Sequence, residues 1–294
     1  MIRETGPRSR VLGPDASPAL FEFRAADEGI VYYTHLENQG TMKVAAVIPA
    51  RMASTRYPGK PLADIHGLSM VEHVYRRTVM SEAVDETYVA TPDEEIREET
   101  ESFGGEAIMT GSHTRATDRV AEAAEGLDAD VIIVMQGDEP LVYPEMIDAA
   151  VEPFEADEDV ECVNLAKPIE TEAAFRDENN VKVVVDGDWN ALYFSREPVP
   201  NLHDATFEEA TVYKQVCVIP FRREALFEFI EMDETPLERV ESIDMLRRLE
   251  NGKDVRLVET HRTNHSVDTP EDHELVNEIM AEDDLFAEYG DPEG

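Results

Sequence analysis

The sequence predicts an α/β fold, a mainly parallel, doubly wound sheet of the Rossmann-like kind. Two patterns carry that expectation. Short, nearly all-apolar runs, of which Lys43–Ile48 and Val131–Met135 are the clearest, have the composition of strands buried on both faces. Helical stretches with an apolar face separate these runs, and strand-then-helix alternation favours a parallel sheet with helical crossovers. No internal repeat or low-complexity tract interrupts the order.

The elements follow in turn. After the first strand, Ser69 with Glu72 three residues on reads as a capping box, and Val71, Val74, Tyr75 and Thr78 continue the helical face. A strand at Thr87–Thr91 leads to a helix opened by Asp93 and ended near Gly104 and Gly105. Ala107–Thr110 is a strand, a helix runs from Thr117 to Glu125, and Pro144–Phe154 is a helix after the strand at Val131–Met135. Further strands are expected at Val160–Ala166, Val181–Val185, Ala191–Phe194 and Val212–Ile219. Helices at Glu224–Glu231 and Leu237–Glu250 precede a strand at Val255–Glu259. Thr269-Pro270-Glu271-Asp272 reads as N-cap, first-position proline and acidic first turn.

These elements fill residues 43–280, which form the expected domain. Residues 1–42 differ, with Pro7, Pro14 and Pro18 and no sustained periodicity. They read as a flexible extension, or as sequence upstream of a true start at Met42. Residues 281–294, with six acids and no base, read as a solvated tail.

Composition narrows the function. The chain has 294 residues, 65 acidic and 26 basic, with a formal net charge of −39. A field of that sign repels phosphate, which excludes general binding to nucleic acid or anionic membranes. Yet 42% of the residues are hydrophobic, too many for a disordered acidic chain. Only six of the bases are lysines. An acidic, lysine-poor surface on an ordinary core suits a cytoplasm of molar salt, where screening falls to about 3 Å and carboxylates keep the surface hydrated. Cys162 and Cys217 lack metal-ligand spacing, sit in apolar runs and read as buried thiols. No apolar stretch reaches the roughly 20 residues of a membrane span, and no apolar segment follows Arg3, Arg8 and Arg10 to make a secretory signal. A cytoplasmic protein is expected.

In a doubly wound sheet, ligands bind beyond the carboxyl ends of the strands. After the first strand, residues 43–77 hold Lys43, Arg51, Arg56, Lys60, Arg76 and Arg77 against only Asp64 and Glu72. A positive island in so negative a chain suits an anion, with Arg forks and a Lys charge around a phosphate chain. After Val131–Met135 comes Gln136-Gly137-Asp138-Glu139-Pro140. An acid at a strand end, beside a glycine that allows close approach, suits Mg²⁺ shared with substrate phosphates. Acidic loops are common in this chain, so the motif alone decides little. Asp268, in Val267-Asp268-Thr269-Pro270, either completes an acid pair or helps cap the next helix. His66, His73, His203, His261 and His265 show no metal-ligand spacing and read as surface or loop residues; Trp189 reads as packing or a hairpin tip.

Taken in order, these segments resemble the sugar-acid cytidylyltransferases, most of all the branch that makes CMP-3-deoxy-manno-octulosonate. The match begins with Ile48-Pro49-Ala50-Arg51, Ser54-Thr55-Arg56 and Pro58-Gly59-Lys60-Pro61, then His113 and Thr117-Asp118-Arg119. It runs through Gln136-Gly137-Asp138-Glu139-Pro140, Val181-Lys182-Val183-Val184 and Tyr193-Phe194-Ser195-Arg196. It ends at Pro236-Leu237-Glu238, Leu246-Arg247 and Val267-Asp268-Thr269-Pro270-Glu271-Asp272. The resemblance implies a fold of the nucleotide-diphospho-sugar transferase type, with a small dimerisation lobe at about 181–221, and a homodimer. It implies transfer of CMP from CTP to the anomeric hydroxyl of an acidic sugar, with Mg²⁺ as cofactor and release of pyrophosphate, for glycan assembly.

By the same resemblance, Arg51, Ser54, Arg56 and Lys60, with Ala50 beside them, hold the triphosphate. His113, Thr117, Arg119 and Gln136 line the nucleotide pocket. Asp138 and Asp268 bind Mg²⁺, and with Arg51 and Lys60 carry the catalysis. Arg196, Glu238 and Glu241 have two readings, acceptor contacts or structural ion pairs. Gln215, polar inside a mostly apolar strand, reads as an acceptor-side residue or as a core-edge residue that satisfies a backbone group. The sequence departs from the family on this side. The usual His-Ile-Gly-Ile-Tyr-like strand is here Gln215-Val216-Cys217-Val218-Ile219, and the Leu-Glu-Gln-Leu-Arg helix is Ile243-Asp244-Met245-Leu246-Arg247. The small Ser-Gly pair after the pocket histidine is Arg115-Ala116. Phosphate and metal positions are kept while acceptor positions change, which leaves open another acceptor such as a sugar phosphate, or a catalytically silent nucleotide-binding relative.

Overall fold

The computed structural model describes residues 42–54 and 56–290. The expected extension, Met42 apart, lies outside the described residues, as do the last four residues of the acidic tail. Twelve strands are present among the described residues: β1 Val44–Pro49, β2 Asp64–Ile65, β3 Leu68–Ser69, β4 Glu86–Thr91, β5 Glu106–Met109, β6 Val131–Met135, β7 Val163–Pro168, β8 Lys182–Val185, β9 Ala191–Ser195, β10 Tyr213–Val216, β11 Val218–Arg222 and β12 Arg256–Glu259. The helices are α1 Met70–Val79, α2 Glu94–Ser102, α3 Ala116–Ala124, α4 Pro144–Ala156, α5 Glu172–Arg176, α6 Arg223–Glu231, α7 Pro236–Glu241, α8 Met245–Glu250, α9 Pro270–Met280 and α10 Phe286–Tyr289. None of the helices is long and apolar enough to cross a membrane.

The main sheet has the order β11-β6-β1-β4-β5, with β11 antiparallel to β6 and the other four strands parallel. Side chains alternate across it. Ala45 and Val47 of β1 join Ile132 and Val134 of β6 in a core shared with α3, α6 and α8. Val44, Ala46 and Ile48 join Ile133 and Met135 in a second core with α1 and α4. Burial on both faces is why these strands read as unbroken apolar runs. The chain steps outward from β1 to β4 and β5, then returns to β6 on the other flank of β1. The carboxyl ends of β1 and β6 therefore flank the switch point, where an open α/β sheet leaves a crevice.

A second five-stranded sheet, in the order β12-β7-β10-β8-β9, is mixed: β12 runs parallel to β7 and the other pairs are antiparallel. It differs from the expected small lobe at 181–221, because β7 and β12 come from outside that range and β11, within it, belongs to the main sheet. The single strand expected at Val212–Ile219 is two. Its chain leaves the second sheet after Val216 and enters the main sheet at Val218, with Cys217 between. Asn164 Nδ2 donates to the Val216 carbonyl at 2.6 Å, satisfying a polar group at the step. Both thiols are unbridged; Cys162 is buried, and Cys217 is partly exposed at this step.

Other expectations change as well. Leu237–Glu250 is not one helix, because Ser242 turns left-handed at φ 56° and separates α7 from α8. Ser69 precedes α1 in extended conformation but its hydroxyl makes no cap bond, and Glu72 accepts from Arg76 Nε at 2.7 Å instead of closing a capping box. Thr269, read as an N-cap, does cap α9 and closes a capping box there, with Asp272 N donating to Thr269 Oγ1 at 3.2 Å and Thr269 N to Asp272 Oδ2 at 2.8 Å.

The last correction concerns the C-terminal segment, which is packed rather than solvated as far as Gly290. Phe286 lies against His66, His73 and Tyr289, and Asp283 Oδ2 is 3.0 Å from Arg77 Nη2, both side chains being buried. His73, read from sequence as a surface residue, is fully buried on α1. Its Nε2 is 2.7 Å from the Ile65 carbonyl and must donate there, so Nδ1, 2.8 Å from the Tyr289 hydroxyl, accepts. Arg77 Nε donates to the same hydroxyl at 2.7 Å. The relay holds the segment to α1 through a neutral imidazole.

Burial, reinforced by Arg77, lowers the His73 pKa to about 4. The unfolded chain therefore takes the proton first, and stability is lost as pH falls from about 6.5 towards 4, by roughly 3 kcal/mol. Urea midpoints measured between pH 7 and pH 4 are expected to fall less steeply for His73→Gln than for the wild type.

Candidate active site

The crevice at the switch point is built by three loops. The first leaves β1 at Ala50, whose amide donates to Ala90 O at 2.9 Å on β4, and is pinned again where Met52 N donates to Asp93 Oδ2 at 2.7 Å. That bond occupies the side chain expected to cap α2. The loop returns at Gly59, where a left-handed φ of 77° lets the amide reach Met52 O at 3.0 Å. Lys60 follows at the head of a short turn. The second loop leaves β6 at Gln136 and passes so near β1 that a Cβ on Gly137 would lie 2.6 Å from Pro49 O. Only glycine fits there. The third precedes α9 and is tied to the second by Val267 N donating to Asp138 O at 2.8 Å.

All three loops meet at one ammonium. Lys60 Nζ donates to Asp138 Oδ2 at 2.8 Å and to Val267 O at 2.8 Å, and lies 3.3 Å from Asp268 Oδ1. Arg56 Nη2 is 3.0 Å from the same Asp268 oxygen. Asp268 is thus turned into the crevice, while capping of α9 falls to Thr269 and Asp272. Two carboxylates within reach of one point, open to water and to a substrate's oxygens, form a hard donor set that suits Mg²⁺. No cluster of three or more His, Cys, Asp or Glu side chains suited to a metal occurs among the described residues. A cation held here would take its remaining ligands from phosphate and water.

A cavity of about 310 Å³ opens above these loops, walled by Ala50, Arg51, Ser54 and Arg56 on one side, and by His113, Arg115 and Arg119 on another. Gln136, Gly137, Asp138 and Asp268 form its floor. Arg51 Nη1 donates to His113 O at 3.2 Å, and buried Arg119 donates from Nη1 to Thr110 Oγ1 at 2.7 Å and Gly111 O at 3.1 Å. Neither guanidinium makes an ion pair among the described residues, and each repels the other. Burial and Arg51 together pull the Arg119 pKa down. Two such cations facing one cavity call for an anion. His113 is held by Glu122, which also accepts from Gly111 N at 2.9 Å. Thr117 is brought near but not into the cavity; its hydroxyl donates to Asp244 Oδ2 at 2.9 Å.

A second cavity, of about 590 Å³, adjoins the first and shares Arg56 and Asp268 with it. Gln215 lines it, and its Nε2 donates to Asn164 Oδ1 at 2.6 Å. Arg196, Glu238 and Glu241 line neither cavity. Glu238 is fully buried against Arg247, accepting from Nε at 2.9 Å and Nη2 at 2.7 Å. Glu241 accepts from Ser195 Oγ at 2.8 Å and Arg196 N at 2.9 Å, while Arg196 Nε returns a bond to Glu241 O at 2.9 Å. Glu238 thus has the ion pair of its structural reading, while Arg196 and Glu241 are joined by hydrogen bonds and make no ion pair among the described residues.

Sequence reasoning passed over Glu139, Lys167, Lys214, Asn264 and His265, which all line the second cavity. Glu139 is buried and accepts from Asn264 Nδ2 at 2.7 Å and Ser266 Oγ at 3.0 Å. Burial, with Asp138 beside it, raises its pKa to about 7. By holding residues 264–266 it sets where Asp268 stands. A polar residue inside the Gln136–Pro140 loop was the only sequence signal for it.

Fold and site together define an α/β protein with a switch-point cavity suited to an anion, set between guanidiniums that make no ion pair among the described residues and two loop acids, Asp138 after β6 and Asp268 before α9. A family model described as cytidylyltransferase matches residues 45–255, and the chain belongs to that family. It is 47% identical over 250 residues to a 3-deoxy-manno-octulosonate cytidylyltransferase of Geobacter metallireducens, covering 82% of this chain and 98% of the relative. It is 45% identical over 249 residues to the Geobacter sulfurreducens protein of the same name, covering 81% of this chain and all of the relative. A solved structure of CMP:2-keto-3-deoxy-manno-octonic acid synthetase complexed with CTP superposes with a TM-score of 0.78 at 37% identity, over 82% of this chain and 99% of that one.

Placing a methyl at Gly137 drives β6 and β1 apart at the crevice floor. Gly137→Ala is expected to cost about 1–3 kcal/mol of stability. In calorimetric titrations it is also expected to weaken nucleotide binding more than Gly126→Ala, where a Cβ meets no atom within 4 Å.

Proposed function

We propose that the protein is a cytoplasmic enzyme that transfers CMP from CTP to the anomeric hydroxyl of an acidic sugar of the 3-deoxy-manno-octulosonate type, releasing pyrophosphate for glycan assembly. The observation that carries this reading is the meeting of two cavities at Arg56 and Asp268, one walled by guanidiniums and one by hydrogen-bonding side chains. Two substrates bound side by side would present their reacting ends at that junction. The names of the relatives supply the nucleotide and the sugar.

In this reading, Arg51, Arg119 and Lys60 take the triphosphate, with Ser54, Ala50 and Arg56 along it and His113 and Gln136 towards the nucleoside, while Thr117 supports the wall from behind through Asp244. Phosphoryl chemistry of this kind asks little covalent work of the protein, so positioning and charge neutralisation carry the rate. Asp138 and Asp268 would hold Mg²⁺, which when bound neutralises phosphate charge and acidifies a coordinated hydroxyl. Lys60 then has acids and phosphates as competing partners, and its long stem lets it follow the developing charge on the leaving pyrophosphate. Arg56, shared by both cavities, aligns the two substrates.

Pyrophosphate release in molar KCl with Mg²⁺, crossing CTP, UTP, ATP and GTP with sugar acids and sugar phosphates, tests the reading. Release is expected for CTP with an acidic sugar, and Asp138→Ala is expected to cut kcat about 1,000-fold, the scale of losing a key charge-stabilising group. Turnover confined to a sugar phosphate would replace the acceptor. No release from folded protein would favour the silent relative.

We also infer a homodimer. β9 is an outer strand of the second sheet and carries Leu192, 59% exposed, while Val240 on α7 is 83% exposed. An uncovered edge with apolar side chains is usually covered by another chain. Light scattering is expected to give twice the 33.0 kDa chain mass, falling to a single chain in Leu192→Lys.

A further inference from the structure

Three of the six lysines stand in one row across the second sheet. Lys214 on β10 is directly opposite Lys167 on β7 and, on its other side, Lys182 on β8. Directly opposed residues issue from the same face, and like charges so placed cost stability. Burial adds to that cost, since Lys167 and Lys182 are buried and Lys214 half-buried. A chain with 65 acids and six lysines has concentrated half its lysines where they repel one another.

The three heads are not equally engaged. Lys182 Nζ donates to main-chain oxygens, of Asp177 at 2.9 Å and of Arg196. Lys167 Nζ donates to Thr263 Oγ1 at 2.7 Å and lies 3.5 Å from Glu170 Oε1, an exposed carboxylate. Lys214 Nζ has one contact, with Asn180 Oδ1 at 3.3 Å, and no ion pair among the described residues. Lys167 and Lys214 both line the second cavity, with Asn179, Asn180 and Gln215 around them; Glu139, Asp177 and Asp272 line it too, but none of the three is ion-paired with either lysine. His265 adds no charge, because burial and the two ammonium groups push its pKa down. The first cavity has its own cations, so this pair is not needed for the triphosphate. The amides around it suit hydroxyl groups.

We propose that Lys167 and Lys214 form the receptor for the acceptor's carboxylate, the bound anion relieving the repulsion within the row. The rest of the sugar then lies among the amides, directed towards Arg56 and Asp268. This assignment rests on the cytidylyl-transfer reading. It makes the pair a specificity determinant, because an acceptor without an anion at that end leaves two half-desolvated ammonium groups unanswered.

The test compares 3-deoxy-manno-octulosonate with its C1 carboxamide as acceptors for the wild type, Lys214→Gln and Lys167→Gln. Each variant is expected to raise KM for the acid about 10- to 100-fold, the scale of a hydrogen bond to a charged group. KM for CTP, kcat and KM for the carboxamide are expected to move less than about twofold. Without acceptor, the melting temperature of Lys214→Gln is expected to equal or exceed that of the wild type, as relief of repulsion requires. Equal losses for acid and carboxamide, or a raised KM for CTP, would overturn the assignment. If the wild type turns over neither acceptor, cytidylyl transfer to this sugar fails, and titration calorimetry of the acid decides the lysine pair separately. Binding to the wild type that weakens in both variants keeps it; equal binding by all three proteins, or by none, sinks it.

Discussion

The Lys60 ammonium is the contact on which the site depends. It joins the loop after β1, the loop after β6 and the segment before α9, three stretches separated by as many as 208 residues in sequence. Without a cation between them, Asp138 and Asp268 would face each other as two unscreened like charges in a partly enclosed crevice. With it, each carboxylate has a partner and the backbone bond from Val267 to Asp138 closes the ring. The geometry that suits a divalent cation is therefore assembled by a monovalent one supplied by the chain.

Charge is organised in opposite senses inside and outside. Most surface carboxylates are solvated and short of partners, as expected at −39. Inside the first cavity cations are in surplus, and Arg51 and Arg119 make no ion pair among the described residues; in the second, Lys167 and Lys214 share the lining with several acids, yet Lys214 makes no ion pair among the described residues. A highly acidic surface would repel an anionic substrate in dilute solution, and high salt removes most of that barrier by screening. Partly enclosed cationic walls are screened less, so the attraction that matters survives where the field at distance does not.

Rigidity comes from contacts outside the cavities. Gly137 lets β6 lie against the end of β1, and Glu139 fixes the segment that carries Asp268. Glu238 and Glu241 lock α7 to α8 and β9 through Arg247, Ser195 and Arg196. At the far side, the relay through Arg77, Tyr289 and His73 fastens the C-terminal segment to α1. Residues that look like binding groups in a linear reading act here as fasteners, because a buried charge is tolerated only where it is paired.

The sequence by itself determined the buried parallel strands, the basic loop after β1 and the family. Runs such as Val131–Met135 are apolar throughout because both faces of the strand are buried, and the basic loop after β1 stands out against an acidic chain. These are local signals, legible because strand burial and charge density are properties of neighbouring residues. The tertiary structure alone decided the second sheet, the step at Cys217, the break at Ser242 and the packing of the acidic C-terminus. It also decided which polar residues share a cavity. Lys167 and Lys214 are 47 positions apart and meet only through strand register, and Asp268 turns into the crevice only because Thr269 and Asp272 cap the helix beside it. Pairing across strands and competition for caps depend on distant partners, which no window along the chain contains.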